Sequence, residues 1–210
     1  MSQDRPDGAE PTQIECLPLS THIKPTIGRL GLFGGAFDPP HNGHVALASA
    51  AMTQAKLDAL WFIPTFSPPH KASSTFSYTM RVKLLERLCQ SRPFWHVSEL
   101  EAQLPQPSYS LRTILAIKQL NIATELVLIL GQDSLNALPK WYEWQQVVNL
   151  CTIAASPRPG YQVEQLNLAD ITIDAEPFAV SSSAIRARLA RQESVAADIP
   201  AELHSLICEY

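Results

Sequence analysis

Eleven consecutive residues near the start of the chain combine features suited to holding phosphate oxygens: Gly34-Gly35-Ala36-Phe37-Asp38-Pro39-Pro40-His41-Asn42-Gly43-His44. Two glycines let the backbone turn sharply and come close to a ligand. Pro39 and Pro40 stiffen the loop and impose an extended approach. His41 and His44 lie three apart, so they share a face at a helix start, and Gly43 leaves the space between them clear. The helix N-terminus adds backbone amides and a positive dipole end. Two imidazoles and several amides can stabilise phosphate oxygens as charge builds during a displacement, a chemistry of positioning that needs no covalent nucleophile. The competing readings are two capping or surface histidines and a metal pair, for which no third ligand is evident.

A second cluster sits near the other end of the chain. Val180-Ser181-Ser182-Ser183-Ala184-Ile185-Arg186 puts three hydroxyls at an expected helix start with Arg186 one turn in. These groups can cradle outer phosphates, or simply cap the helix. Further candidates lie between the two clusters. Lys71 closes Pro68-Pro69-His70-Lys71 and can meet an acceptor phosphate or stay solvated. Pro107-Ser108-Tyr109-Ser110 opens a helix. Asp133, in Gly131-Gln132-Asp133-Ser134, can accept from ribose hydroxyls, cap a helix, or do both. Pro139-Lys140-Trp141-Tyr142-Glu143-Trp144 is rich in aromatics; Trp141 is expected to stack on a planar ring and Trp144 to be core.

The elements that must position these residues alternate strand with helix. Strands are expected at Leu30 to Phe33, Leu60 to Ile63 (cut off by Pro64), Phe94 to Val97, Glu125 to Leu130, Thr152 to Ala155 and Ile171 to Ile173. Helices are expected from Gly43 to Lys56, Thr79 to Gln90, Ser108 to Leu120, Ser181 to Arg191 and Glu202 to Cys208. The run at 125–130 is near-continuously apolar, as in a parallel strand buried on both faces. The pattern implies a single α/β domain with a Rossmann-like, doubly wound parallel sheet. Ligands bind such sheets where loops leave the C-terminal strand ends, and the candidate loops all follow expected strands.

Bulk properties bound the rest. With 210 residues the chain suffices for one α/β domain with a real core. Residues 1–27 lack periodicity and read as a flexible extension before a domain at 28–210. The formal net charge of -4 argues against a nucleic-acid partner. Four irregularly spaced cysteines read as free thiols of a reducing, cytoplasmic compartment rather than a disulfide frame or zinc site. No apolar run spans a membrane, and no secretory signal is legible at the N-terminus. The oligomeric state is left open, a homo-oligomer included.

Gly35-Ala36-Phe37-Asp38-Pro39 followed by His41-x-Gly43-His44 resembles the signature of the H-x-G-H nucleotidyltransferase superfamily, and Val180 to Arg186 resembles its I-S-S-T-x-I-R motif. Ala36 stands where Thr or Ser is usual, which removes a hydroxyl contact. With the Pro-Pro-His-Lys, Gly-Gln-Asp and Trp-Tyr-Glu segments and Ser156 to Tyr161, residues 29–210 resemble the bacterial nicotinate-nucleotide adenylyltransferases. The resemblance implies ATP and nicotinate mononucleotide as substrates, with Mg²⁺ carried by the triphosphate. It implies His41 and His44 at the reacting phosphate, and Gly34, Gly35, Ala36, Phe37, Gly43, Ser182, Ser183 and Arg186 around ATP. It gives Lys71 to phosphate contact, Ser110, Trp141 and Tyr142 to the nicotinate pocket, and Asp133 to a ribose. Two alternatives stand beside it: transfer to another acceptor, such as the amide mononucleotide, and a nucleotide sensor without turnover.

Overall fold

A computed structural model describes residues 26–68, 74–157, 165–176 and 179–208. Its centre is a six-stranded sheet of β1 (Ile27–Gly35), β2 (Ala59–Pro64), β3 (Trp95–Val97), β4 (Ala123–Gly131), β5 (Thr152–Ser156) and β6 (Ile171–Thr172). All pairings are parallel and the order is β3-β2-β1-β4-β5-β6. The order reverses between β1 and β4, so the crevice for a ligand opens at the C-terminal ends of these two neighbours.

Side chains that alternate along the strands build two cores, one on each face. Leu30 and Leu32 of β1 and Leu126, Leu128 and Leu130 of β4 face one way. Against them pack α4 (Ser110–Leu120), α5 (Gln132–Ala137) and α6 (Trp144–Leu150) through Leu111, Ile114, Ile117, Leu135 and Val147. Phe33, Val127 and Ile129 face the other way, toward α1 (Asn42–Gln54) and α2 (Tyr78–Cys89), which supply Leu47, Ala48, Ala51, Leu85 and Leu88. A short α3 (Leu100–Gln103) precedes α4. A third apolar cluster joins α2 to α7 (Ser182–Ala190) and α8 (His204–Cys208) through Phe76, Leu84, Ile185, Leu203 and Ile207.

The expected elements are present with shifted ends. β1 already starts at Ile27, inside the last residue of the expected extension, and carries through Gly34 and Gly35. Pro64 closes β2 rather than cutting it off, because the last residue of a strand can do without a ladder donor. The α4 cap is Tyr109, not Ser108. Ser108 serves the neighbouring loop instead, its hydroxyl accepting from the Ser67 amide at 3.1 Å. α3 and α6 were not anticipated, since helices of 4 and 7 residues carry too little periodicity to read.

Candidate active site

The first loop leaves β1 through a strained residue. Phe37 has φ 48, a left-handed conformation that costs a non-glycine residue roughly 1–3 kcal/mol. Its ring is 1% exposed and meets Phe33, Phe62 and His44 edge-on at 5.4, 5.5 and 5.0 Å, so core packing holds the strain in place. Phe37 can therefore offer a nucleotide only its backbone. The Asp38–Pro39 peptide is cis, and His41 is extended at the α1 N-cap.

The two imidazoles stack with centroids 3.7 Å apart and planes 28° apart. The His44 Nδ1 accepts from the His41 backbone N–H at 3.1 Å. That bond places the proton of a neutral His44 ring on Nε2, which becomes a donor for a phosphate oxygen. Gly43 leaves room beside the stack: a Cβ there would lie 3.1 Å from the His41 ring, which would have to give by a few tenths of an ångström. A Cβ at Gly34 or Gly131 would meet nothing within 4 Å, so the ends of β1 and β4 both border open space.

The C-terminal cluster meets this loop directly. The Ser182 hydroxyl donates to the Pro39 carbonyl at 2.9 Å, and Arg186 donates to the Asp38 carbonyl at 2.7 Å. Arg186 also donates to the Ser183 hydroxyl at 3.1 Å and stands 3.6 Å from the buried Asp38 carboxylate. Ser181 caps α7, accepting from the Ala184 amide. Asn42 ties the α1 start to the C-terminal segment, its amide donating to the Asp198 carbonyl and its side chain to Ala197. Hydroxyls, a guanidinium, two imidazoles and helix amides thus share one end of the sheet, a donor set for phosphates rather than for a metal. Among the described residues no group of three or more His, Cys, Asp or Glu is placed to hold a metal ion.

The aromatic segments form a second constellation. Tyr142, 51% exposed, stacks on Tyr109 at 4.7 Å, with the Arg112 guanidinium 5.0 Å from the other ring. Ser110, first residue of α4, follows Tyr109 directly in the chain, and Trp141 precedes Tyr142. Trp141 and Trp144 are both half-buried against the α4–α6 core, which corrects the expected division of one core and one free tryptophan. Asp133 is exposed in the first turn of α5, whose N-cap is Gly131, so the expected capping role does not apply. Lys71, and the stretch from Arg158 to Tyr161, lie outside the described residues.

Sequence reasoning passed over three residues that hold these loops. Asp38 is 5% exposed and accepts from the Thr75 and Phe76 amides at 3.0 and 2.7 Å. Arg81 is 2% exposed and donates to the carbonyls of Ala36, Thr65 and Phe76. Burial pushes its guanidinium below its ordinary value, against the pull of Asp38. Glu101 is 7% exposed and accepts from the Phe66 amide and the Thr113 hydroxyl. Burial pushes its carboxyl up. A signal for Arg81 existed: it falls in helical register with Leu84, Leu85 and Leu88, a charge on an apolar face.

Residues 32–188 match the cytidylyltransferase-like family. The chain is 38% identical over 164 residues to the nicotinate-nucleotide adenylyltransferase of Bacillus subtilis, covering 76% of this chain and 85% of that one. It is similar in fold to the nicotinic acid mononucleotide adenylyltransferase of Plasmodium falciparum, solved as complexes with NaAD and with APC. For each complex the TM-score is 0.71 at 15% identity, covering 87% of this chain and 96% of the other.

Proposed function

This chain belongs to the nicotinate-nucleotide adenylyltransferases of the cytidylyltransferase-like family, and from that premise we propose that it transfers the adenylyl group of ATP to nicotinate mononucleotide. The products are deamido-NAD and pyrophosphate. The observation that carries this reading is the direct contact between the first loop and α7, Ser182 to Pro39 and Arg186 to Asp38. One cleft can then gather the α-phosphate at the α1 start and the outer phosphates at the α7 start.

In this mechanism the mononucleotide phosphate attacks the α-phosphorus of ATP in line and pyrophosphate leaves. His44 donates from Nε2 to the α-phosphate oxygens as charge builds, and His41, stacked on it, meets the same phosphate. Backbone amides of the first loop approach the triphosphate past Gly34, Gly35, Ala36, Phe37 and Gly43. Ser182 and Ser183, through the amides of the first turn of α7, and the Arg186 guanidinium take the outer phosphates. Lys71 meets a phosphate of the acceptor. Ser110, Trp141 and Tyr142 hold the nicotinate ring and its carboxylate, and Asp133 accepts from a ribose.

The donor-rich cleft suits a triphosphate that brings its own Mg²⁺. That ion would keep phosphate oxygens and water as ligands and would supply charge neutralisation of the leaving group. A cytoplasmic site of action goes with ATP as substrate. No described helix is long and apolar enough to cross a membrane.

Pyrophosphate release from ATP, measured with nicotinate mononucleotide, its amide form and phosphopantetheine in turn, tests the reading. Fastest release with the acid mononucleotide is expected. Faster release with the amide form would change the acceptor, and no release with any of them would leave a nucleotide-binding protein without turnover, the outcome to which Ala36 points.

A further inference from the structure

β1 and β2 run side by side in register as far as Gly35 opposite Pro64. One more rung follows, the Thr65 amide donating to the Gly35 carbonyl at 2.9 Å. Beyond it the two chains part. One becomes the first loop with its histidines, and the other continues through residues 66–68 toward Lys71. At the point of parting the strands can no longer satisfy each other's carbonyls, and Ala36 and Thr65 are half-buried, so water reaches them only in part. A single guanidinium occupies this fork. Arg81 donates from Nη1 to Ala36 at 2.7 Å, from Nη2 to Thr65 at 3.0 Å and from Nε to Phe76 at 3.3 Å.

The arrangement uses what is particular to arginine. Its donors lie in one rigid plane and point in fixed directions, whereas a lysine ammonium is a point charge on a flexible stem. The neighbouring contacts reinforce the fork. Asp38 binds the amides of Thr75 and Phe76, and Glu101 and Ser108 take the amides of Phe66 and Ser67. The second loop is thus clamped at consecutive residues, and Arg81 joins the Ala36 and Thr65 carbonyls just past the last rung between the strands.

We propose that Arg81 is a positioning residue for the transfer step: through the carbonyls of Ala36 and Thr65 it sets the separation between the loop at the reacting phosphate and the loop leading to the acceptor. The inference rests on the adenylyl-transfer reading, in which these loops present two different substrates. In-line attack requires reacting atoms about 3–3.5 Å apart, and a displacement of about 1 Å costs on the order of 10² in rate. Loss of the fork therefore acts on turnover more than on the binding of either substrate alone.

The test compares the full-length wild type with Arg81→Lys and Arg81→Gln, using ATP and nicotinate mononucleotide. Wild-type turnover comes first; its absence overturns the functional reading and this inference with it. With an active wild type, we expect either folded variant to lose at least about tenfold in kcat while KM for both substrates stays within about threefold. A folded Arg81→Lys with kcat within about twofold of wild type overturns the inference alone. So does a parallel loss of kcat, substrate binding and thermal stability, or failure of both variants to fold, since each assigns Arg81 to the fold in general.

Discussion

The His44 Nδ1 accepts from the His41 amide, so the proton of the neutral ring sits on Nε2. His44→Ala removes that donor without touching the Asp38–Arg186 contacts, and kcat is expected to fall by a factor on the order of 10² or more. Steady-state pyrophosphate release checks this, and near-normal turnover would take His44 out of the reaction. Trp141 is half-buried against the α4–α6 core and carries the ring segment of the second constellation. Trp141→Ala is expected to raise KM for nicotinate mononucleotide more than KM for ATP, and equal increases would make it a packing residue only. At this scale the sequence was legible wherever chemistry depends on residue type and local spacing, as with His41, His44, Ser182, Ser183 and Arg186. It was not legible for Asp38 and Glu101, and for Arg81 it showed only a charge on an apolar helix face and not its partners, which lie far away in the chain or on the backbone of another loop.

Strand pairing is secured at its far end, away from the crevice, by a three-strand polar contact. Arg29 of β1 grips Glu125 of β4 with two bonds of 2.8 Å, and Thr152 of β5 donates to the same carboxylate at 2.8 Å. The bonds from Arg29, then that from Thr152, hold the Glu125 carboxyl below its ordinary value of 4.5. A depressed folded value stabilises the native state above the unfolded pKa, and that contribution is lost as pH falls through the folded one. Melting curves of wild type and Glu125→Gln are therefore expected to differ near pH 6 and to converge well below pH 4.5. A gap that persists at low pH would assign the difference to something other than this carboxylate. Long elements were readable because their apolar positions repeat with the period of a strand or helix. α3 and α6 were not, because one turn or two cannot display a period.

The C-terminal helices pack on α2 and reach the start of α1. The third apolar cluster fixes α7 and α8 on α2, and Asn42 joins the α1 start to residues 197 and 198. Leu203 is fully buried in that cluster, so Leu203→Ala is expected to cost about 2–5 kcal/mol in denaturant unfolding. Because α7 carries Ser182, Ser183 and Arg186, the variant is also expected to raise KM for ATP more than KM for the mononucleotide. An unchanged ratio would mean that α7 keeps its place without the cluster. The sequence by itself determined the doubly wound α/β class, the phosphate-binding types of residue and the helix starts that carry them, since these follow from periodicity, capping and spacing along the chain. Only the tertiary structure decided that α7 docks on the Asp38–Pro39 carbonyls and that Arg81 pins two diverging loops. Those contacts are made to backbone atoms, which every residue possesses alike, so no pattern of side chains could announce them.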